Sequence, residues 1–227
     1  MPTNNALRGA ARAALAWLFL CAAPLAWSAE APADGLQAGT DYIQTPSTLW
    51  FRSATGEVRV VEYFSWGCPH CNAFHTPLNA WVKQLAPNVK FDRVPVSFGR
   101  SQWQPLLRTY YALKNLGKLD ALDDAIYDAI HRQGLDTSSI DNIARWLATQ
   151  GVDARQFLAE TQSPSVSDQI EAAREFTERY GVQSVPQIII NGRYVVLGQN
   201  ARTYADLLAI ADKLIARASK PAAVPVP

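Results

Sequence analysis

Two cysteines stand two residues apart in Phe64-Ser65-Trp66-Gly67-Cys68-Pro69-His70-Cys71. A Cys-x-x-Cys pair can exchange disulfides, hold half of a metal site or close a small covalent loop. What surrounds the pair separates these chemistries. The run Val58 to Phe64 is β-branched and aromatic, the composition of a buried strand. Pro69 suits the first position of a helix, because its missing N–H removes one donor that would go unbonded there. Cys68 is then expected at a helix N-terminus, where unbonded N–H groups and the positive end of the macrodipole favour a thiolate, the reactive form in exchange. His70, inside the pair, can donate a hydrogen bond to that sulfur and is cationic when protonated. Each pKa unit of thiolate stabilisation is worth roughly 1.4 kcal/mol. The same stabilisation favours the reduced pair, at about 30 mV per 1.4 kcal/mol, so such a centre gives its disulfide away readily.

The cysteine count narrows the choice. The chain has 227 residues and 3 cysteines, the third being Cys21. Residues 1–28 read as an export signal: Arg8 and Arg12 precede a compact apolar stretch from Ala13 to Ala26, with no acidic residue before Glu30. The apolar stretch falls short of the ~20 residues a membrane-spanning helix needs. Small residues at Ala26 and Ser28 mark cleavage after Ser28, with Ala31 as a second site. Cleavage removes Cys21 and two arginines, leaving Cys68 and Cys71 alone in a chain with a net charge near −1. Such a chain matures where disulfides persist. A loop closed across two residues stabilises little, so a structural staple is the poorest explanation. Zinc fares no better: His70, His75 and His131 are the only histidines, and no second cysteine pair completes four ligands. The balanced charge gives no reason to expect a nucleic-acid partner.

The rest of the chain supplies the elements that must position the pair. Tyr42-Ile43 suggests a short edge strand. Phe74, Leu78, Trp81, Val82 and Leu85 recur at helical spacing after the cysteines, and Pro77 is expected to kink that helix. Val89 to Phe98 reads as the next strand, and strand–helix–strand order suggests a parallel sheet. Apolar stripes from Leu106 to Tyr180 then mark a run of helices, one of them capped by Ser138-x-x-Asp141. Strand chemistry resumes at Val185-Pro186, and Asn191-Gly192 signals a two-residue hairpin between Ile190 and Arg193. Thr203-x-x-Asp206 caps a last helix, and 219–227 forms an Ala/Pro/Val tail.

This order resembles the thioredoxin fold with a helical insertion, and more closely the DsbA-type thiol:disulfide oxidoreductases of the bacterial periplasm. The residues that carry the resemblance are Phe64-Ser65 leading into Cys68-Pro69-His70-Cys71, and Gly181-Val182 followed by Val185-Pro186. It implies an α/β fold with a first thioredoxin-like part at 40–100, an inserted α-helical subdomain at 101–180 and a second thioredoxin-like part at 181–218. It implies disulfide donation from Cys68 and Cys71, with no organic cofactor because the Cys68–Cys71 disulfide carries the electrons. A disulfide isomerase or reductase of the same fold is the alternative. Pro69 and His70 would tune the pair. An acid at Glu62 would lie beneath it and move protons, with Arg93 close by. The other reading of Glu62 is a carboxylate facing solvent or pairing with Arg93 across the sheet. Pro186 would be cis, with the Val185 backbone facing the disulfide and pairing with extended substrate. The implied partners are reduced, unfolded exported proteins and a DsbB-type membrane quinone oxidoreductase that reoxidises the pair, the protein itself being a monomer in the periplasm.

Overall fold

The structure, a computed structural model, describes residues 34–49, 51 and 56–220. The expected export signal and residues 221–227 lie outside the described residues. Five strands form one sheet: β1 (Tyr42–Gln44), β2 (Val58–Phe64), β3 (Val89–Pro95), β4 (Gln187–Ile190) and β5 (Tyr194–Val196), in the order β1-β5-β4-β2-β3. Helix α1 (Pro69–Val82) joins β2 to β3, and α7 (Tyr204–Ala218) ends the fold. Between β3 and β4 come α2 (Gln104–Asn115), α3 (Leu119–His131), α4 (Ile140–Thr149), α5 (Ala154–Thr161) and α6 (Pro164–Arg179). Among the described residues no helix is long and apolar enough to cross a membrane.

The sheet is mixed, not parallel throughout. β2 runs parallel to β3, placing Glu62 opposite Arg93, but antiparallel to β4 and opposite Ile188. The reason lies in where the insertion ends: it returns the chain to Val185, beside Cys68 at the C-terminal end of β2, so β4 must run back down. β3 stops at Pro95 and lies at the sheet edge, where a residue without an N–H is tolerated. The turn after β4 has Asn191 and Gly192 at positive φ, as an Asn-Gly turn requires. Pairing nevertheless resumes at Ile190↔Tyr194, so three residues are spent rather than two. Asn191 is still tied to β2: its N–H donates to Arg59 O at 2.7 Å, and its Oδ1 accepts from Arg59 N at 2.7 Å.

The apolar positions sort onto three sites. Val58 and Val60 of β2 pack with Phe74 and Leu78 of α1 and with Leu214 of α7, each buried side chain contributing about 1.5–3 kcal/mol. Tyr63 points to the other face with Ile189 and Val182. The insertion has its own core, built on Leu113, Ile126, Leu147 and Phe157, and this cluster also takes in Phe64, Trp66, Cys68 and Cys71. The cysteines are thus packed into the helical insertion as well as carried by the sheet. Helix starts follow their caps. Ser163 and Thr203 accept from Val166 N and Asp206 N. The cap of α4 is Ser139, whose side chain accepts from Asn142 N, one residue later than the sequence pattern marks. α1 continues through Pro77.

Candidate active site

β2 ends at Phe64, and the chain turns at once. Cys68 N–H donates to Ser65 O at 3.0 Å, closing a four-residue turn with Trp66 and Gly67 at its centre. Gly67 is required by packing: a Cβ there would lie 2.6 Å from Trp103 Nε1. Cys68 is the N-cap of α1, with extended φ −91° and ψ 120°, and Pro69 follows in the first turn. No side chain accepts a cap hydrogen bond. A sulfur therefore occupies the position where an oxygen usually caps, at the end of a helix whose first N–H groups favour negative charge.

Cys68 Sγ lies 3.6 Å from the Val185 carbonyl oxygen, which comes from 117 residues further along the chain. The Val185–Pro186 peptide is cis. Cys68 is only 6% exposed, because it joins the Trp66, Trp103 and Leu106 cluster. Cys71, three residues into the helix, is fully buried. Burial pushes its thiol well above the ordinary cysteine range, with the negative charges of Cys68 and Glu62 adding to the effect against a hydrogen bond to the Ser65 backbone. The pair is chemically asymmetric: one sulfur at a helix terminus, the other held as a thiol. His70 is exposed, and its carbonyl accepts from Tyr204 Oη at 3.2 Å. Its ring makes no hydrogen bond to Cys68 in this structure, because the second residue of α1 turns its side chain outward while Tyr204 holds its backbone. Pro69 is also exposed.

Glu62 is 1% exposed. It is both buried and paired: Arg93 Nε donates to its Oε2 at 2.8 Å. Burial raises its pKa to about 7, outweighing the Arg93 charge, and the nearby Asp123 carboxylate adds to the rise. Arg93 is the hub of a larger network. Its Nη1 bonds Asp123 Oδ2 at 2.5 Å and its Nη2 donates to Asn79 Oδ1 at 2.8 Å. Asp123 in turn accepts from Trp66 Nε1 at 2.7 Å. His75, one turn after Cys71 on α1, sits 2.6 Å from Asp124 Oδ1 and packs against Tyr127, the rings tilted at 38° with centroids 4.3 Å apart. Strand β2, helix α1 and helix α3 therefore meet in one buried polar cluster next to the cysteines. Sequence reasoning reached Glu62 and Arg93 but missed Asp123, Asn79 and Trp66. Its one available signal was an acid, an aromatic and a histidine at i, i+4 and i+8 on α3, namely Asp123, Tyr127 and His131. Among the described residues no group of three His, Cys, Asp or Glu side chains could hold a metal ion.

The chain is similar in sequence and fold to known proteins. A family profile described as Thioredoxin matches residues 45–213. The thiol:disulfide interchange protein DsbA of Burkholderia cepacia is 33% identical over 180 residues, which cover 79% of this chain and 84% of that protein. Its counterpart in Azotobacter vinelandii is 34% identical over 184 residues, covering 81% and 85%. Among solved structures, the oxidoreductase DsbA of Xylella fastidiosa superposes with a TM-score of 0.73 at 34% identity, covering 80% of this chain and 97% of that one. Pseudomonas aeruginosa DsbA superposes with a TM-score of 0.74 at 32% identity, covering 82% and 95%.

Proposed function

The chain belongs to the DsbA family of thiol:disulfide interchange proteins, and from that premise we propose that Cys68 and Cys71 are the redox pair through which it donates disulfides to reduced exported polypeptides. The chain is a protein-disulfide oxidoreductase on the thioredoxin fold. One observation carries the assignment of roles: Cys68 caps a helix beside the Val185 carbonyl, while Cys71 is sealed beneath it.

In the oxidised protein, a substrate thiolate attacks Cys68 Sγ. The Cys68–Cys71 bond breaks, a substrate–Cys68 disulfide forms, and Cys71 leaves as a thiolate. Burial makes that thiolate costly, so it takes up a proton. Glu62 supplies it: the carboxyl holds a proton up to about pH 7 and its charge acts directly on Cys71. A second substrate thiolate then attacks the substrate sulfur and expels Cys68 at the helix terminus, where negative charge is favoured. Two electrons pass from the substrate dithiol to the pair, and no organic cofactor enters. Pro69 shapes the start of α1, and His70 adds a cation beside Cys68 when protonated. The Val185 backbone, set by Pro186, offers an extended substrate a partner next to the sulfur. The expected setting is the periplasm, with a membrane quinone oxidoreductase of the DsbB type withdrawing the electrons again.

The test is single-turnover disulfide transfer from the oxidised protein to a reduced, unfolded polypeptide. Transfer should be stoichiometric for the wild type and lost in Cys68→Ser. Transfer that survives Cys68→Ser would refute the assignment.

A further inference from the structure

His131 ends α3, yet it touches the turn that carries the cysteines, 65 residues earlier. Its Nε2 lies 2.7 Å from the Trp66 carbonyl oxygen. A carbonyl only accepts, so Nε2 carries the proton and donates. That carbonyl belongs to the peptide between Trp66 and Gly67, the central peptide of the Ser65–Cys68 turn. In a four-residue turn this is the group that can flip while the ends stay in place. The two forms, type I and type II, differ in its orientation, and type II needs a positive φ at the third residue. Glycine supplies that φ without strain, so Gly67 leaves both forms open. The structure uses only one: Gly67 is not among the residues at positive φ. The peptide is held on both sides, by Ser65 Oγ accepting from Gly67 N–H at 3.3 Å and by the shorter His131 bond.

α3 grips Trp66 a second time, through Asp123 and the indole N–H. Tyr127 lies between the two grips, its ring packed against His75 of α1 and stacked at 6.1 Å on His131. Three residues spaced four apart on one helix thus bear on the redox turn and its helix. We infer that His131 is a positioning residue for the thiol–disulfide reaction, its hydrogen bond to the Trp66 carbonyl locking the 66–67 peptide in the form that presents Cys68 to substrate. The inserted helices are then a working part of the redox centre and not only its cover. The inference rests on Cys68 being the attacked sulfur.

The experiment compares wild type, His131→Ala and His131→Gln in single-turnover disulfide transfer and in equilibrium with glutathione. Gln keeps an N–H donor without the imidazole. His131→Ala should transfer about tenfold more slowly, as expected when a reacting group loses its fixed orientation, and its glutathione equilibrium should move about threefold. His131→Gln should recover most of both effects. An Ala variant that matches wild type in both measurements overturns the inference, and so does a Gln variant as slow as Ala. A measurement on the unaltered protein stands independently of how the variants fold: at alkaline pH, ¹⁵N NMR should show His131 protonated at Nε2 and bare at Nδ1, and the opposite tautomer overturns it. A wild type that transfers no disulfide would instead remove the assignment of Cys68.

Discussion

Replacing Glu62 by Gln should abolish a pH dependence of stability that this one carboxyl imposes. Glu62 is buried, and its pKa rises from the ordinary 4.5 to about 7 in the folded protein because desolvation outweighs Arg93. The folded value lies above the unfolded one, so between these limits the native state keeps a proton that the unfolded chain releases. Stability from this group is therefore fully present below pH 4.5 and is lost as the pH rises toward 7, opposite to a carboxylate whose pKa an ion pair depresses. The interval from 4.5 to about 7, at roughly 1.4 kcal/mol per pH unit, amounts to about 3 kcal/mol. Gln is close in shape to the protonated acid and can still accept from Arg93 Nε. In denaturant unfolding of the oxidised proteins, the two should agree to about 1 kcal/mol at acid pH and diverge above neutrality, with Glu62→Gln more stable by about 3 kcal/mol. Other carboxyls titrate in both proteins and cancel in the difference. A difference that stays constant with pH, or that grows in favour of the wild type as pH rises, would refute the reasoning.

Removing Asp123 strips Arg93 of one carboxylate and leaves the buried Trp66 indole N–H without an acceptor. Breaking a buried pair costs roughly 3–5 kcal/mol, and Glu62 still holds Arg93, so Asp123→Ala should lose about 3 kcal/mol in urea unfolding. A loss below about 1 kcal/mol would mean that the network does not hold α3 to the sheet. His70→Ala removes the imidazole two residues after Cys68 without disturbing the core, since the side chain is exposed. Its equilibrium with glutathione should shift severalfold toward the disulfide form. An unchanged equilibrium would take His70 out of the tuning role.

What the sequence reveals follows the range of the interactions. The strand into Cys68 and the helix from Pro69 depend on residues within a turn or two of each other, so composition and spacing expose them. Glu62 stands out because a carboxyl on an apolar strand is anomalous by itself, and its partner Arg93 lies directly opposite in the neighbouring strand. Asp123 gives no such signal. Its role depends on α3 docking against Trp66, 57 residues away, and nothing local to either residue records that contact. In the sequence His75 and His131 read only as zinc ligands without company, while the structure gives His75 the Asp124 carboxylate and His131 the Trp66 carbonyl as partners. The direction of β4 was equally hidden, being set by where the insertion returns the chain. The Asn191-Gly192 pair marks the turn but not its register, because the Asn191 side chain is bonded to Arg59 of β2.

Disulfide donation, as opposed to reduction, rests on the free-energy difference between the dithiol and disulfide forms of Cys68 and Cys71. Equilibration of the pure protein with glutathione buffers of known ratio measures that difference directly. A donor should have a reduction potential less negative than about −180 mV, whereas a value near about −270 mV, suited to reducing other proteins, would contradict the proposed direction of electron flow.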